Sequence, residues 1–140
     1  MRFAVLILMV VLALGCTTSV SKEDLKHLNG YWEIASVEFP NGQKKEYGKV
    51  NPTIDYLEWD GSKGFRKKVY PKLDGTFDTS DDAEPFEIME SDGSFSICYN
   101  NPLSSWNETL TRLDANRFSV VNEEGITYNY RRHEPINIEQ

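Results

Sequence analysis

Short stretches of apolar–polar alternation, separated by frequent turn-forming pairs, constrain the fold of this chain more than any other feature. From Tyr31 onward the helical period disappears, whereas Phe65–Tyr70 and Ile126–Arg132 alternate at the two-residue period of a strand with one buried face. The predicted strands are Tyr31–Phe39, Thr53–Trp59, Phe65–Tyr70, Thr76–Thr79, Pro85–Glu90, Ser94–Tyr99, Ser105–Leu113, Arg117–Asn122 and Ile126–Arg132. The breaks between them carry Asn41-Gly42, Asn51-Pro52, Asp60-Gly61, Asp74-Gly75, Asp92-Gly93, Asn101-Pro102, Asp114-Ala115-Asn116 and Glu123-Glu124-Gly125, which supply the backbone angles of tight turns.

Short strands joined by short links favour a sheet in which sequential strands are antiparallel neighbours. Such a pattern is typical of a β-sandwich or an up-and-down barrel. Closing the sheet also removes exposed edges, which would otherwise pair with other chains. We therefore predict an all-β fold, an antiparallel up-and-down β-barrel of about eight strands with a short N-terminal helix.

The predicted helix precedes the first strand. Ser21 can cap it, and Asp24 stands three residues later, close to the spacing of a capping box. Leu25 and Leu28 share one face, and Gly30 ends the segment. One or two turns fit here, so we expect a plug or lid for the barrel.

The first residues are typical of an export signal. Arg2 is followed by the uninterrupted apolar run Phe3–Leu14 and then by Gly15 and Cys16. The run is too short for a membrane span, which needs ~20 residues. A basic start, a short apolar stretch and a small-residue exit predict a signal peptide over residues 1–15.

The segment around Cys16 resembles a bacterial lipobox, in which the cysteine after the cleaved bond is acylated. This resemblance implies a lipid anchor at Cys16, a tether over residues 16–24 and attachment to the cell envelope, at the outer membrane of a Gram-negative bacterium. An ordinary exported protein is the alternative. The other cysteine, Cys98, would then have no disulfide partner, and a small buried thiol on a strand is its expected role.

Charge and motif content exclude several classes of function. The formal net charge is −7, with 15 Lys and Arg against 22 Asp and Glu, which argues against nucleic-acid binding. The two histidines, His27 and His133, stand at the ends of the domain, and no hydrolase, metalloprotease or phosphate-loop motif is present. We predict a protein that is not an enzyme and needs no cofactor or metal. An enzyme would require a deep pocket holding two carboxyls of raised pKa.

Each of two charged clusters can be interpreted either as an ordinary solvated surface or as a binding site. The basic residues Arg66 and Lys68 share a face with Tyr70, while Lys67 stands between Phe65 and Val69. A solvated hairpin face is the favoured interpretation, and a site for an anionic head group or lipid surface is the alternative. The acidic stretch could offer oxygen ligands to calcium but lacks the spacing of a calcium loop, so a solvated loop is expected; its residues are Asp74, Asp78, Asp81, Asp82 and Glu84.

The start and end of the predicted sheet resemble the lipocalin family. Gly30 and Trp32 form a Gly-x-Trp motif directly after the short helix, and lipocalins often place a final-strand Arg over that Trp. Alternation assigns this role to Arg132, with Arg131 second. The segment from Trp106 to Arg132 is similar to small lipocalin-like lipoproteins of Bacteroidetes-type bacteria. The resemblance implies a barrel domain over residues 25–133, with residues 134–140 as a tail.

The resemblance also implies a function. The chain lacks a second signature in the middle strands and a disulfide for its tail, and it is shorter than most lipocalins, so a filled interior is possible. We predict a monomer that binds a small apolar or amphipathic ligand inside the barrel; a filled barrel serving as an interaction or structural module is the alternative. Alternation puts Ile34 and Ser36 on the same face as Trp32. The other residues predicted to face inward and bind the ligand are Ile54, Tyr56, Phe65, Phe86, Ile88, Phe95, Ile97, Trp106, Phe118, Tyr128 and Tyr130.

Overall fold

A computed structural model describes residues 19–48 and 53–134 of the chain. A 3-10 helix, Lys22–Leu28, precedes nine strands. The strands are β1 (Gly30–Glu38), β2 (Lys44–Glu46), β3 (Ile54–Trp59), β4 (Lys63–Pro71), β5 (Phe77–Ser91), β6 (Ser94–Asn100), β7 (Ser105–Leu113), β8 (Arg117–Asn122) and β9 (Thr127–Arg132).

Eight of these strands form a closed antiparallel barrel, as predicted. The hydrogen-bonded order runs β1-β3-β4-β5-β6-β7-β8-β9, and β9 pairs again with β1 along the length of both strands. The short β2 pairs with the last residues of β1, beyond the part that pairs with β3. Each of the eight barrel strands therefore pairs with a neighbouring strand on both sides, and all of these pairings lie within the described residues.

The short helix closes one end of the barrel. Ser21 and Asp24 form the predicted capping box: the backbone N–H and the hydroxyl of Ser21 both donate to the Asp24 carboxylate, at 2.9 and 2.8 Å. Leu25 and Leu28 are buried in the core. The Trp32 indole N–H donates to the Leu28 carbonyl at 2.9 Å, so the first strand is fixed against the helix.

The guanidinium of Arg132 completes this closed end. Its carbon lies 3.8 Å from the centre of a Trp32 ring, and its nitrogens donate to the carbonyls of His27, Asn29 and Ala115 at 2.7, 2.7 and 2.9 Å. Gly30 has φ +122°, and a Cβ there would lie 2.5 Å from an Arg132 nitrogen. The structure thus brings Gly30, Trp32 and Arg132 together in the arrangement that the sequence resemblance implied.

A packed core fills the half of the barrel next to the helix. Gly64 on β4 permits this packing, because a Cβ at that position would meet the Phe86 ring at 2.4 Å. The largest fully buried side chains include Trp32, Tyr99 and Phe118. The turns at this end are tight, and Asp92 and Gly93 of the β5–β6 hairpin have φ of +52° and +78°, as its two-residue turn requires.

Several predictions about strands need correction. No strand was predicted at β2, whose three residues are all charged and exposed. The acidic stretch is not a loop: residues 78–84 belong to the single long strand β5, which joins the two predicted runs. Opposite Lys68, three β5 residues have no pairing partner in the register, so this strand bulges away from β4. The helix begins at Lys22, inside the predicted tether.

A β-bulge also changes one inward-facing assignment. The β1–β9 register shifts between Ile34 and Ser36. Ser36 therefore lies on the outer face, where its hydroxyl accepts a hydrogen bond from Asn129 at 3.1 Å. Val37 replaces it as the inward residue opposite Tyr128.

The predicted signal peptide over residues 1–15 and the predicted acylation site Cys16 lie outside the described residues, and so do residues 135–140 of the predicted tail. Within residues 19–48 and 53–134, the structure has no helix with the length and hydropathy that a bilayer span requires.

Candidate functional site

A cavity of about 460 Å³ occupies the end of the barrel away from the helix. This end carries the β4–β5, β6–β7 and β8–β9 turns. The volume lies within the ~300–1,000 Å³ that small-molecule sites usually have. The lining residues are Asp55, Arg66, Lys67, Lys68, Tyr70, Ser80, Asp82, Glu84, Tyr99, Trp106, Glu108, Tyr128 and Tyr130.

The guanidinium of Arg66 is the centre of a polar network in this pocket. It donates to Asp55 Oδ2 at 3.0 Å and to the hydroxyls of Tyr130 and Tyr99 at 2.8 and 3.1 Å. The Arg66 side chain is only 13% exposed. Lys68 Nζ lies 2.5 Å from the other Asp55 oxygen. One buried carboxylate therefore pairs with two cations, and this pairing offsets part of the cost of placing charged groups inside a barrel.

Two of the four carboxyls that line the pocket, Asp55 and Glu108, have opposite pKa shifts. Burial opposes ionisation of Asp55, but Arg66 and Lys68 outweigh it and hold the pKa of that carboxyl below its ordinary value. Burial is also the largest influence on Glu108, and there it prevails over the attraction of Arg66, so the pKa is raised. Of these two carboxyls, only Glu108 has the raised pKa that an enzyme with paired carboxyls would require.

Stacked rings connect the pocket to the closed end. The Tyr130 ring lies against the Arg66 guanidinium, 5.1 Å from its carbon, and stacks on Phe118 at 4.4 Å. Phe118 meets Trp32 edge-on at 4.7 Å. Since Arg132 covers Trp32, a continuous column of rings runs between two guanidinium groups along the barrel interior. The floor of the pocket is consequently packed against the aromatic core.

Three of the residues predicted to bind ligand line this pocket. They are Trp106, Tyr128 and Tyr130, and Trp106 stacks on Tyr99 with ring centres 4.8 Å apart. Ile34 lines an adjoining cavity of about 360 Å³, which shares Tyr128 and Tyr130 with the first. Five others belong to the packed core or lie against it and are not among the pocket residues: Phe86, Ile88, Phe95, Ile97 and Phe118.

The faces of β3 and β4 are the reverse of the prediction for Ile54, Tyr56 and Phe65. The register pairs Asp55 with Lys68 and Leu57 with Arg66, and these residues face inward. Tyr56 lies on the outer face, where its hydroxyl donates to the exposed Glu58 at 3.2 Å and its ring contacts Tyr31 and Phe65. Ile54 and Phe65 share that outer face, where Ile54 is nevertheless fully buried. The prediction assumed an apolar interior, whereas the inner positions Asp55, Arg66 and Lys68 are charged and paired.

The sequence interpretation did not assign Asp55, Tyr99 or Glu108 to a site, and it favoured a solvated face for Arg66. The sequence does contain a signal for Asp55 and Glu108. Asp55 stands two residues from Leu57, and Glu108 stands midway between Trp106 and Leu110, so each is a lone charge on an otherwise apolar face. Such a charge inside a barrel requires a partner.

Metal binding finds no support in the described part of the chain. Within residues 19–48 and 53–134, no three His, Cys, Asp or Glu side chains are grouped so that they could hold an ion. Of the acidic stretch, Asp82 and Glu84 line the pocket, Asp78 pairs with Lys72 at 2.9 Å, and the Asp74 carboxylate accepts from Thr76.

Comparison with solved structures finds proteins of similar architecture. A lipocalin-like protein from Bacteroides uniformis is 12% identical with a TM-score of 0.48, over 76% of this chain and 99% of that one. An uncharacterized protein from Bacteroides eggerthii has the same coverage, 12% identity and a TM-score of 0.47. Lobster apocrustacyanin A1 is 12% identical with a TM-score of 0.47, over 83% of this chain and 66% of that one. At such identities the likeness concerns the fold alone. No protein family and no curated protein matches the sequence.

Proposed function

We propose that this barrel binds a small amphipathic molecule in the pocket around Arg66, and that an acylated Cys16 holds it at the outer membrane of a Gram-negative bacterium. The observation that carries the proposal is the cavity of about 460 Å³ with a polar floor and aromatic walls. The alternative of a filled barrel predicts no cavity of this kind.

The composition of the walls favours an amphipathic ligand over a purely apolar one. Trp106 and Tyr128 present ring surface, which favours burial of apolar groups. Arg66, Asp55 and Glu108 lie within the same cavity, and their charges would be poorly solvated beneath a purely apolar ligand. A molecule with one polar end and one apolar end satisfies both regions, as small-molecule sites commonly require.

Native mass spectrometry of residues 17–140, purified without detergent, tests the binding proposal. All strand pairings of the barrel and its closing contacts lie within residues 19–134, so this form retains them. We expect a non-covalent adduct of a few hundred daltons that denaturation removes.

Two variants locate the adduct. Trp106→Leu removes a wall of the pocket, whereas Tyr56→Leu removes a ring of comparable chemistry from the outer face. The adduct is expected to disappear in the first variant and to persist in the second. A bare protein mass, with no fluorescence change on addition of amphipathic probes, would contradict the proposed function.

The anchoring proposal has its own test. Cells expressing the full chain are fed an alkyne-bearing fatty acid and then separated into membrane and soluble fractions. We expect label in the membrane fraction for the native chain, and an unlabelled soluble protein for Cys16→Ser. Equal labelling of both proteins, or a soluble native protein, would refute acylation at Cys16.

A further inference from the structure

Two groups in the pocket face each other without forming a hydrogen bond. Glu108 Oε2 and a terminal nitrogen of Arg66 are 4.0 Å apart, which is beyond hydrogen-bond distance. Glu108 Oε2 is buried and accepts no hydrogen bond from any described residue, although the Trp106 side chain donates to the same carboxyl. The Glu108 side chain is only 13% exposed and lines the cavity. A small polar group that both accepts and donates could join the two groups.

The four charged groups that meet at this gap carry no net charge when Glu108 is ionised. Of the other charged lining residues, Asp82 is exposed and Glu84 accepts a hydrogen bond from Asn101 at 2.7 Å; together with Lys67 they carry one net negative charge. Asp55 is paired with both Arg66 and Lys68, at 3.0 and 2.5 Å. These three groups carry one net positive charge, which the ionised Glu108 offsets. An anionic head group would therefore add an unbalanced charge beside Glu108, and a cationic one would add an unbalanced charge beside Arg66. Both additions are costly because the Arg66 and Glu108 side chains are each only 13% exposed.

We propose that the pocket selects an amphipathic molecule with an uncharged hydroxyl or carboxamide head group, which accepts from Arg66 and donates to Glu108. This inference rests on the proposed binding function and specifies the ligand class. It makes Glu108 a specificity-determining residue. The Tyr99 and Tyr130 hydroxyls hold the Arg66 guanidinium in position for this contact.

The raised pKa of Glu108 is consistent with a missing hydrogen-bond partner at Oε2. Burial raises the pKa of the carboxyl despite the nearby Arg66 guanidinium and the hydrogen bond from Trp106. A hydrogen bond donated by the ligand would stabilise the charged form, since it would supply the partner that the Glu108 oxygen lacks. Ligand binding should then be accompanied by a lower Glu108 pKa.

Three probes with the same tail test the inference by titration calorimetry near neutral pH: decan-1-ol, decanoate and decylammonium. Loss of a hydrogen bond to a charged group corresponds to about a tenfold or larger change in affinity. We expect decan-1-ol to bind about tenfold more tightly than either charged probe. Equal or tighter binding of decanoate or decylammonium would overturn the inference and leave the binding function intact. Failure of all three probes to bind would contradict the proposed function itself, and this inference with it.

Glu108→Gln tests the assigned residue. The amide keeps the size of the side chain and can donate to a carboxylate, so we expect the preference for decan-1-ol over decanoate to fall to about threefold or less. Glu87→Gln is the matched control, because Glu87 is exposed and pairs with Cys98 on the neighbouring strand, away from the pocket residues. An unchanged preference in Glu108→Gln would refute the role of Glu108. If that variant does not fold, the ranking of the three probes on the native protein still decides the inference.

Discussion

Replacing Arg132 by Met tests how much the closed end contributes to stability. The change keeps an unbranched side chain over Trp32 but removes the guanidinium and its hydrogen bonds to three carbonyls. A net hydrogen bond contributes about 1 kcal/mol, and a cation–π contact of this kind contributes about the same. Because Arg132 remains partly exposed, we expect the free energy of unfolding to fall by about 3 kcal/mol, which is less than the sum of the three hydrogen bonds and the cation–π contact.

Urea denaturation measures this loss, with an expected decrease in the midpoint on the order of 2 M. Arg132→Lys should retain the ring contact but not the forked hydrogen bonds, and should therefore fall between the native protein and Arg132→Met. Arg117→Met is the control, since Arg117 is an exposed arginine on the adjacent strand. A loss below about 1 kcal/mol for Arg132→Met, or one equal to that of the control, would show that this contact does not stabilise the barrel.

Two further changes address the backbone and the pocket. Gly30→Ala should cost about 2–3 kcal/mol, because it strains a positive φ and displaces Arg132, whereas Gly42→Ala, with φ +87° and open space, should cost only about 1 kcal/mol; equal losses in denaturation would refute the contact. Asp55→Asn leaves the buried Arg66 poorly compensated and should cost about 3 kcal/mol near neutral pH. Since the pKa of Asp55 is lowered in the folded protein, its contribution is present above the ordinary value of 3.8 and is lost as the pH falls through the lowered pKa. The difference between the two melting temperatures should therefore begin to shrink below about pH 3.8 and vanish below the lowered pKa, and a constant difference would contradict this assignment.

The sequence was most informative where local signals and tertiary structure agree. The strands β7 and β8 have the predicted bounds, because the Asp114-Ala115-Asn116 turn separates two runs of suitable length. Barrel closure was also predictable, because Gly30 and Trp32 stand in the first strand and Arg132 stands in the last. By contrast, β2 carries no apolar residue and is a strand only because β1 offers it an unpaired edge.

The pocket could not be derived from alternation alone. A bulge shifts the two-residue period without any mark in the sequence, as at Ser36. The inner faces of β3 and β4 depend on a different cause, the ion pair between Asp55 and Arg66, whose members are 11 positions apart in the chain. An isolated charge indicates only that a partner is needed, and identification of the partner requires the register between strands.

The pairing of β1 with β9 determines when this protein can finish folding. The contact between Arg132 and the carbonyl of His27 joins residues 105 positions apart, so the final strand must be available before the ring closes. Until then, β1 and β8 each present an unpaired edge that other chains could join. A chain that stops before Thr127 would therefore lack more than its last strand: it would retain two open edges and an unsealed core. Translation or transport that halts late would accordingly release an aggregation-prone sheet in place of a slightly shortened barrel.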